Sequence, residues 1–290
     1  IHCAQGLMRS LGQVAGIEAE AVVPEQVPAY VSAVAGSRPQ MIAACVGYER
    51  AGHLVLVGYP VHDPLDGSAL AAAVDEALKL PWLARITVIG PARPAQAPQA
   101  STTVQDHYLS LPIPAPPPSQ KLRSLLRRAG RELTIERGRA CTAEHMALVQ
   151  RYIEEHELAA GTRRIFQQLP RYLEASAGCL TVSARRTDRR LAAFAVGEFA
   201  SRDTALFMFC FRNPDLAPSG STDLLLSALL DEARTRGQTR MNLGLAVNAG
   251  IGFFKRKWGA ELFLPYVEVS WDLSPLPLLT RLLRLPGLPL

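Results

Sequence analysis

The sequence predicts an α/β (α+β) protein made of two fused units, each with a mixed central sheet flanked by helices. Its length of 290 residues exceeds that of most single compact domains. Hydrophobic residues make up 48% of the chain and charged residues 20%, a balance typical of proteins with a folded core. Strand-like and helix-like runs also follow one another in a similar order in both halves, which indicates an internal duplication.

The first half contains a hairpin, a helix and a further strand. Residues 41–48 and 53–59 are apolar runs rich in β-forming residues, separated by a short turn. Asp66 precedes an alanine-rich run and is a good helix cap, and residues 85–89 have the pattern of the next strand. A strand, a helix and a strand in this order predict two adjacent parallel strands joined by a right-handed crossover.

The second half repeats this order with more elements. It begins with helices, continues with a three-stranded antiparallel meander and ends with alternating helices and strands. The predicted helices are 120–129, 142–155, 166–175, 222–236 and 249–258. The predicted strands are 180–184, 191–200, 204–211, 240–245 and 263–271, with 107–111 closing the first half.

A proline-rich segment connects the two halves. Residues 112–118 contain five prolines, which favour an extended connection over a packed element. We therefore predict units at residues 1–118 and 119–272, followed by a leucine- and proline-rich tail at 273–290. The tail can pack on the body, bind a protein partner or contact a membrane, and packing is the default expectation.

One segment of the second half has a motif that indicates a particular group of folds. Residues 242–260 contain a strand that ends Asn-Leu-Gly-Leu, a short loop, and a helix that ends Phe-Lys-Arg-Lys-Trp-Gly. This segment resembles the signature of Fem-type aminoacyltransferases and related tandem-GNAT proteins, in which the helix ends Phe-Lys-x-x-Phe/Trp-Gly. Residues 106–111 and 119–129 are similar to the bridge between the two GNAT units of that group. The resemblance extends over residues 41–271.

The resemblance implies an N-acyltransferase-like activity. The donor would be acyl-CoA or aminoacyl-tRNA, the acceptor a small-molecule or peptide amine, and the attack direct, with no covalent enzyme intermediate. Such a reaction needs a cradle for donor phosphates, a group that stabilises the carbonyl oxygen in the transition state, and an acceptor for the amine proton.

The predicted cradle lies between the last meander strand and the next helix, where the resemblance places it in GNAT enzymes. Its residues are Ser219, Gly220, Ser221 and Thr222. Small residues at a helix start suit close approach of a phosphate. The usual GNAT loop, Arg/Gln-x-x-Gly-x-Gly/Ala, is not matched, and Asp215 and Asp223 bring negative charge to it. A capped loop without a ligand is the alternative.

Lys255 is the first candidate catalytic residue. The resemblance implies that it contacts a donor phosphate or the developing oxyanion, and an ordinary basic last turn of a helix is the alternative. Glu198 is a candidate general base, or else an outward residue of its strand. Asn242 and Asn248 flank a predicted strand end, where parallel strands separate and ligands enter in this fold, so either can orient a substrate amide. Asn248 is a candidate donor contact as well as a good helix cap.

Three further residues are candidates for contact with the acceptor substrate. His62 and Asp63 follow a strand of the first half at the position equivalent to the cradle, where a turn with a capping aspartate is the default expectation. Arg212 closes the last meander strand. The histidines show no ligand spacing, so we expect no metal.

Charge and cysteine content limit the partners. The net charge of +5 favours anionic partners such as tRNA, and the arginine-bearing helix after residue 119 is an alternative nucleic-acid site. Five widely spaced cysteines without a Cys-x-x-Cys pair predict reduced thiols and a cytoplasmic location. No signal peptide is visible, and no apolar run reaches the about 18–20 residues needed to cross a bilayer. A non-catalytic scaffold of the same fold is the main alternative to an enzyme.

Overall fold

A computed structural model describes residues 16–273 of the chain. Their contacts group them into two compact units. Unit 1 comprises residues 16–39 and Asp106–Tyr266, and unit 2 comprises Gln40–Gln105 and residues 267–273. The predicted boundaries at residues 118 and 272 rest on a duplication that this grouping does not test, so they stay predictions. Nearly all of the predicted tail lies outside the described residues.

The elements follow one another in mixed order. The helices are α1 Pro28–Ala35, α2 Gly67–Ala77, α3 Gln120–Glu132, α4 Ala143–Glu155, α5 Ala160–Gln167, α6 Leu169–Ala175, α7 Ser221–Thr235 and α8 Ala249–Lys257. The strands are β1 Arg38–Ile42, β2 Cys45–Arg50, β3 His53–Val57, β4 Arg85–Gly90, β5 Thr102–Pro112, β6 Leu133–Gly138, β7 Cys179–Arg186, β8 Leu191–Glu198, β9 Thr204–Arg212, β10 Arg240–Leu245 and β11 Glu261–Asp272. None of these helices is long and apolar enough to span a bilayer.

Unit 2 is built on a hairpin followed by a crossover. β2 pairs with β3 antiparallel and β3 pairs with β4 parallel, which confirms the predicted strand–helix–strand crossover. The Asp66 carboxylate caps α2 by accepting from the amides of Ser68 at 2.9 Å and Ala69 at 3.1 Å. The end of β11 pairs antiparallel with β4 on its other side, and the apolar face of α2 packs on these strands.

Unit 1 contains the predicted meander within a larger sheet. Its strand order is β11–β5–β10–β9–β8–β7–β6, with β6 to β9 antiparallel and β10 parallel to β9. Alternate residues of β8 serve two cores because side chains of a strand point to opposite faces. Ala193 and Ala195 join the cluster around α7, whereas Phe194 and Val196 join the cluster with α4 and α6. The sheet is therefore covered by helices on both faces.

Two expectations differ from the structure of unit 1. β6 was absent from the predicted strands because its alternating pattern is short. Only Leu133 and Ile135 point toward the core, and their neighbours are polar. The predicted helix at 166–175 is divided into α5 and α6 at Gln168. Pro170 lies in the first turn of α6 and has no N–H to donate, which favours a new helix start over a continuous helix.

Candidate active site

The candidate site of unit 1 lies where two parallel strands separate. β10 pairs with β9 only from Arg240↔Thr204 to Asn242↔Leu206. Beyond this point a pocket of about 1010 Å³ is lined by residues of both strands, namely Phe207, Met208, Phe209, Cys210, Leu243, Gly244 and Leu245. Met208 is an extra residue of β9, since Val196 and Gly197 of β8 face Phe209 and Phe207. Such a bulge bends a strand and assists the separation.

Aromatic and polar side chains complete the lining. The rings come from Tyr30, Tyr108, Tyr152, His156 and Phe254, and the polar groups from Glu25, Arg212, Thr222, Asn248 and Lys255. The Tyr108 hydroxyl donates to the Glu25 carboxylate at 2.7 Å. Val247 and Ile251 also line the pocket and are 71% and 36% exposed, so the pocket opens to solvent beside α8. It therefore combines apolar walls with a few convergent polar groups, as ligand pockets do.

Lys255 is a buried amine at this pocket. Its side chain extends from α8 toward the end of β10, where Nζ donates to the Leu245 carbonyl at 2.5 Å. The residue is only 4% exposed. Burial lowers the pKa of Lys255 to about 8, and attraction to Asp106 acts in the opposite direction. Gly244 adopts φ +78°, a left-handed conformation that glycine favours, at the turn beside this ammonium group.

The loop between β10 and α8 is fixed by hydrogen bonds. Asp106 accepts from the Val247 amide at 3.1 Å, and Asn248 caps α8 by accepting from the Ile251 amide at 2.9 Å. Asn242 is 1% exposed; it accepts from the Gly244 amide and donates to the Val22 carbonyl, both at 2.8 Å. Asn248 thus lines the pocket, whereas Asn242 shapes the turn from outside the lining.

Only one residue of the predicted cradle reaches the pocket, and it is Thr222. Gly220 has φ +94°, and a Cβ atom there would lie 2.8 Å from the Leu125 carbonyl oxygen of α3. The Ser221 hydroxyl donates to the Pro218 carbonyl at 2.5 Å. The glycine is therefore required by the close approach of α3 to the start of α7.

The two acidic residues near this helix start are both paired. Lys257 contacts both oxygens of the Asp223 carboxylate, at 2.6 and 2.8 Å, and the Trp258 indole N–H donates to it at 2.8 Å. Arg151 forms an ion pair with Asp215 at 2.7 Å. Their negative charge is therefore compensated within unit 1.

Glu198 lies at the end of β8, outside the pocket lining. It is 1% exposed, and four groups donate to its carboxylate. They are the hydroxyls of Tyr172 at 2.8 Å and Ser176 at 2.5 Å and the amides of Phe199 at 3.0 Å and Ala200 at 3.1 Å. A carboxylate with four donors is well suited to join β8 to α6 and to the following turn.

The candidate acceptor contacts fall in different places. Arg212 is exposed and lines the pocket at the end of β9. His62 and Asp63 belong to unit 2, where both are exposed and Asp63 accepts from the Leu65 amide at 3.1 Å. Asp63 thus has the turn-capping geometry that was the default expectation for it.

Sequence reasoning missed several lining residues. Glu25 follows the start of a short 3₁₀ turn, Pro24–Gln26, and Tyr108 lies on β5. Their hydrogen bond joins positions 83 residues apart, and no local pattern signals such a contact. Asp106 was noted only as part of a motif resemblance. Among residues 16–273, no three His, Cys, Asp or Glu side chains are grouped as metal ligands would be.

The mixed sheet, the helices on both faces and the pocket between separating strands define a GNAT-like fold. Solved structures agree with this class. The C-terminal domain of a proposed lysylphosphatidylglycerol synthetase from Agrobacterium fabrum has a TM-score of 0.58 and 17% sequence identity, over 88% of this chain and 91% of that one. FemX has a TM-score of 0.62 and 11% identity, over 91% and 96%. A tandem GNAT protein from the clavulanic acid biosynthesis pathway has a TM-score of 0.50 and 13% identity, over 93% and 96%. At these identities the likeness is one of fold, and it confirms the predicted fold class.

The family is given by the sequence. The family model "Phosphatidylglycerol lysyltransferase, C-terminal" matches residues 117–278, more than half of the chain, and the chain belongs to this family. No curated protein matches it at a significant level. Membership places the chain among transferase domains, as predicted.

Proposed function

We propose that unit 1 transfers an aminoacyl group from the ester of an aminoacyl-tRNA to an acceptor held in the pocket. The observation that carries this proposal is Lys255, a buried ammonium group at a pocket between separating strands. A cation that is already desolvated and fixed stabilises negative charge without reorganisation when that charge forms. The scaffold alternative predicts a cleft filled by Arg164, Phe166 or the tail. Neither Arg164 nor Phe166 is part of the pocket lining, and nearly all of the tail lies outside the described residues.

The reaction follows from these groups. The acceptor's oxygen or nitrogen attacks the carbonyl carbon of the aminoacyl ester, and the carbonyl oxygen becomes an oxyanion. Burial lowers the pKa of Lys255 only to about 8. In most molecules Lys255 is therefore an ammonium group at neutral pH and can stabilise this oxyanion. The bond to the ribose oxygen then breaks, and the proton lost by the acceptor ends on that leaving oxygen.

The start of α7 supports a tRNA ester over acyl-CoA as the donor. A pyrophosphate cradle needs free space at the helix start, and the Leu125 carbonyl oxygen of α3 lies close to Gly220 on the side where a Cβ atom would project, while Ser219, Gly220 and Ser221 are absent from the pocket lining. The exposed face of α3 carries Arg127 and Arg131 at helical spacing, which suits the phosphates of a tRNA. Acyl-CoA is the alternative donor, and the test below compares it with aminoacyl-tRNA.

Two acceptors are consistent with the proposal. The family name indicates a hydroxyl of phosphatidylglycerol, and the Fem-type resemblance indicates an amine. We propose that Arg212, Thr222 and Asn248 contact the substrates at the rim of the pocket. His62 and Asp63 lie in unit 2, outside this pocket lining, and have no part in the proposal. Glu198 and Asn242 act, in this proposal, by positioning β8 and the β10 turn.

The test is transfer measured with each donor and acceptor in turn. Purified chain is given labelled aminoacyl-tRNA or acetyl-CoA together with phosphatidylglycerol or a peptide amine, and wild type is compared with Lys255→Met. We expect transfer from aminoacyl-tRNA to one of the acceptors, and a loss of about 100-fold or more in Lys255→Met, as for other oxyanion donors. If wild type transfers nothing from aminoacyl-tRNA, the proposal is contradicted, whether or not acetyl-CoA serves as a donor.

A further inference from the structure

The end of β10 and the loop after it contain two residues with left-handed backbone conformations. Gly244 has φ +78°, which glycine adopts readily, and Val247 has φ +53°. A β-branched residue such as valine is disfavoured there, because its side chain crowds the backbone. Such strain persists only where surrounding contacts hold the chain in place. Val247 is also 71% exposed, so packing of its own side chain does little to hold it.

Asp106 provides a contact that holds this loop. Its carboxylate accepts from the amide of Val247 at 3.1 Å and from the amide of its neighbour His107 at 2.7 Å. Asp106 reaches the loop because β5 pairs with β10 so that Tyr108 lies opposite Leu245. Alternate residues of a strand share a face, so Asp106 is on the same face of β5 as Tyr108, which lines the pocket.

The loop that Asp106 holds also carries the hydrogen-bond partner of Lys255. The Lys255 ammonium group donates to the Leu245 carbonyl, two residues before the Val247 amide. Attraction to Asp106 raises the pKa of Lys255, against the larger effect of burial. Asp106 therefore acts on Lys255 both through the position of this carbonyl group and through its own negative charge.

Other ionisable groups also lie near Lys255. On the same helix, Lys257 is paired with Asp223 and Arg256 is exposed. The remaining titratable side chains of the pocket lining are Glu25, Tyr30, Tyr108, Tyr152, His156, Cys210 and Arg212. Among the charged residues that the structure describes, Asp106 is the one whose attraction acts on the pKa of Lys255.

We propose that Asp106 is a positioning residue for Lys255, which holds the β10–α8 loop through the Val247 amide and keeps a negative charge acting on the buried ammonium group. This inference rests on the proposed function, in which Lys255 stabilises the oxyanion. A cation is effective in that role when it is fixed before negative charge forms. Loss of Asp106 should therefore change both the position and the protonation of Lys255.

The first test measures the protonation of Lys255 without any substrate. The chain contains four lysines, so labelled lysine side chains can be followed by NMR over a pH series, and Lys255→Met identifies the signal of Lys255. Asp106→Asn keeps an oxygen that can accept from the Val247 amide but removes the charge. Asp231→Asn is the matched control, because it removes the same charge from α7 at a side chain that is 59% exposed and outside the pocket lining.

In Asp106→Asn the midpoint of the Lys255 titration should fall by about half a pH unit, as for a partly screened attraction between two charges. In Asp231→Asn it should not change. A midpoint in Asp106→Asn equal to that of wild type, or equal shifts in both variants, would overturn the proposal. This readout does not depend on transfer. If wild type transfers no aminoacyl group, the proposed function fails, and the titration still decides whether Asp106 acts on Lys255.

The second test separates the position of Lys255 from its charge. At pH 6 Lys255 is largely protonated in each variant, so Asp106→Asn should transfer nearly as fast as wild type, whereas Asp106→Ala also releases the loop and should be about tenfold slower. Val247→Gly removes the strain because glycine adopts a positive φ readily. Asp106→Ala should therefore reduce the rate less in the Val247→Gly background than in wild type. Equal reductions in the two backgrounds would overturn the role of Asp106 in holding the loop.

Discussion

At the scale of single residues, the charge of Lys255 has consequences for activity that depend on pH. Burial lowers the pKa of Lys255 to about 8, so its ammonium form is lost as the pH rises through that value. If the ammonium form stabilises the oxyanion, transfer should be fastest near neutral pH and should fall above about pH 8. In Lys255→Arg the cation persists, so any remaining activity should not fall there. A rate that instead increases above pH 8 would indicate that the neutral amine acts as a base.

The same desolvation predicts an effect on stability. The pKa of Lys255 is about 8 when folded against 10.5 for an ordinary lysine, so the folded state binds this proton less well. The resulting loss of unfolding free energy is complete below pH 8 and disappears as the pH rises past 10.5. Lys255→Met should therefore raise the free energy of unfolding at neutral pH by about 2 kcal/mol, because about 3 from desolvation is offset by about 1 for the lost hydrogen bond.

Lys257→Met is the matched control for that measurement, because it removes a lysine from the same helix. Lys257 neutralises Asp223, whose side chain is only 5% exposed, and its loss leaves a buried carboxylate without its cation. The free energy of unfolding should then fall by about 3 kcal/mol. Denaturant unfolding of both variants at neutral pH checks the opposite signs. Destabilisation of equal size in both variants would show that Lys255 is not a strained charge.

At the scale of elements, the contact between α3 and α7 makes any larger residue at Gly220 destabilising. Alanine at this position would combine an unfavourable φ of +94° with a Cβ atom 2.8 Å from the Leu125 carbonyl oxygen. Gly237 has a similar φ of +80° with no atom within 4 Å of such a Cβ atom. Gly220→Ala should therefore cost about 3 kcal/mol of unfolding free energy and Gly237→Ala about 1 kcal/mol. Similar losses would indicate that conformation alone, without close approach, explains Gly220.

Elements with local signals were predicted well from the sequence. Asp66 was expected to cap α2, and its carboxylate accepts hydrogen bonds from the first turn of that helix. β10 was predicted with its observed bounds, and the loop after it was expected to lie where parallel strands separate. The helix division at Gln168 was missed because the apolar spacing continues across it. Alternating or helical spacing is a local property, so it defines elements better than their interruptions.

At the scale of the whole molecule, the site depends on contacts that the sequence does not signal. Lys255 was predicted from a motif in which strand, loop and helix are adjacent in the chain. Glu25 and Tyr108 were not predicted, because they reach the pocket from positions more than 100 residues before Lys255. The predicted cradle was sited by analogy of fold, and of its residues only Thr222 reaches the pocket, whereas Ser219 is exposed and Gly220 lies against the Leu125 carbonyl of α3. Topology brought the pocket to the predicted strand ends, and packing decided which side chains line it.

The charge of the molecule leads to a last prediction, on tRNA binding. The net charge of +5 is spread over many arginines, so a general attraction would not depend strongly on any two of them. Arg127 and Arg131 are both exposed and four residues apart on α3, so they can contact phosphates on one side of the helix. The double variant Arg127→Gln/Arg131→Gln should weaken tRNA binding and reduce the slope of log K against log salt by about two, roughly one per phosphate contact. The pair Arg163→Gln/Arg171→Gln removes the same charge from exposed positions of α5 and α6. If both double variants change the slope equally, tRNA responds to total charge, and α3 has no special role in binding it.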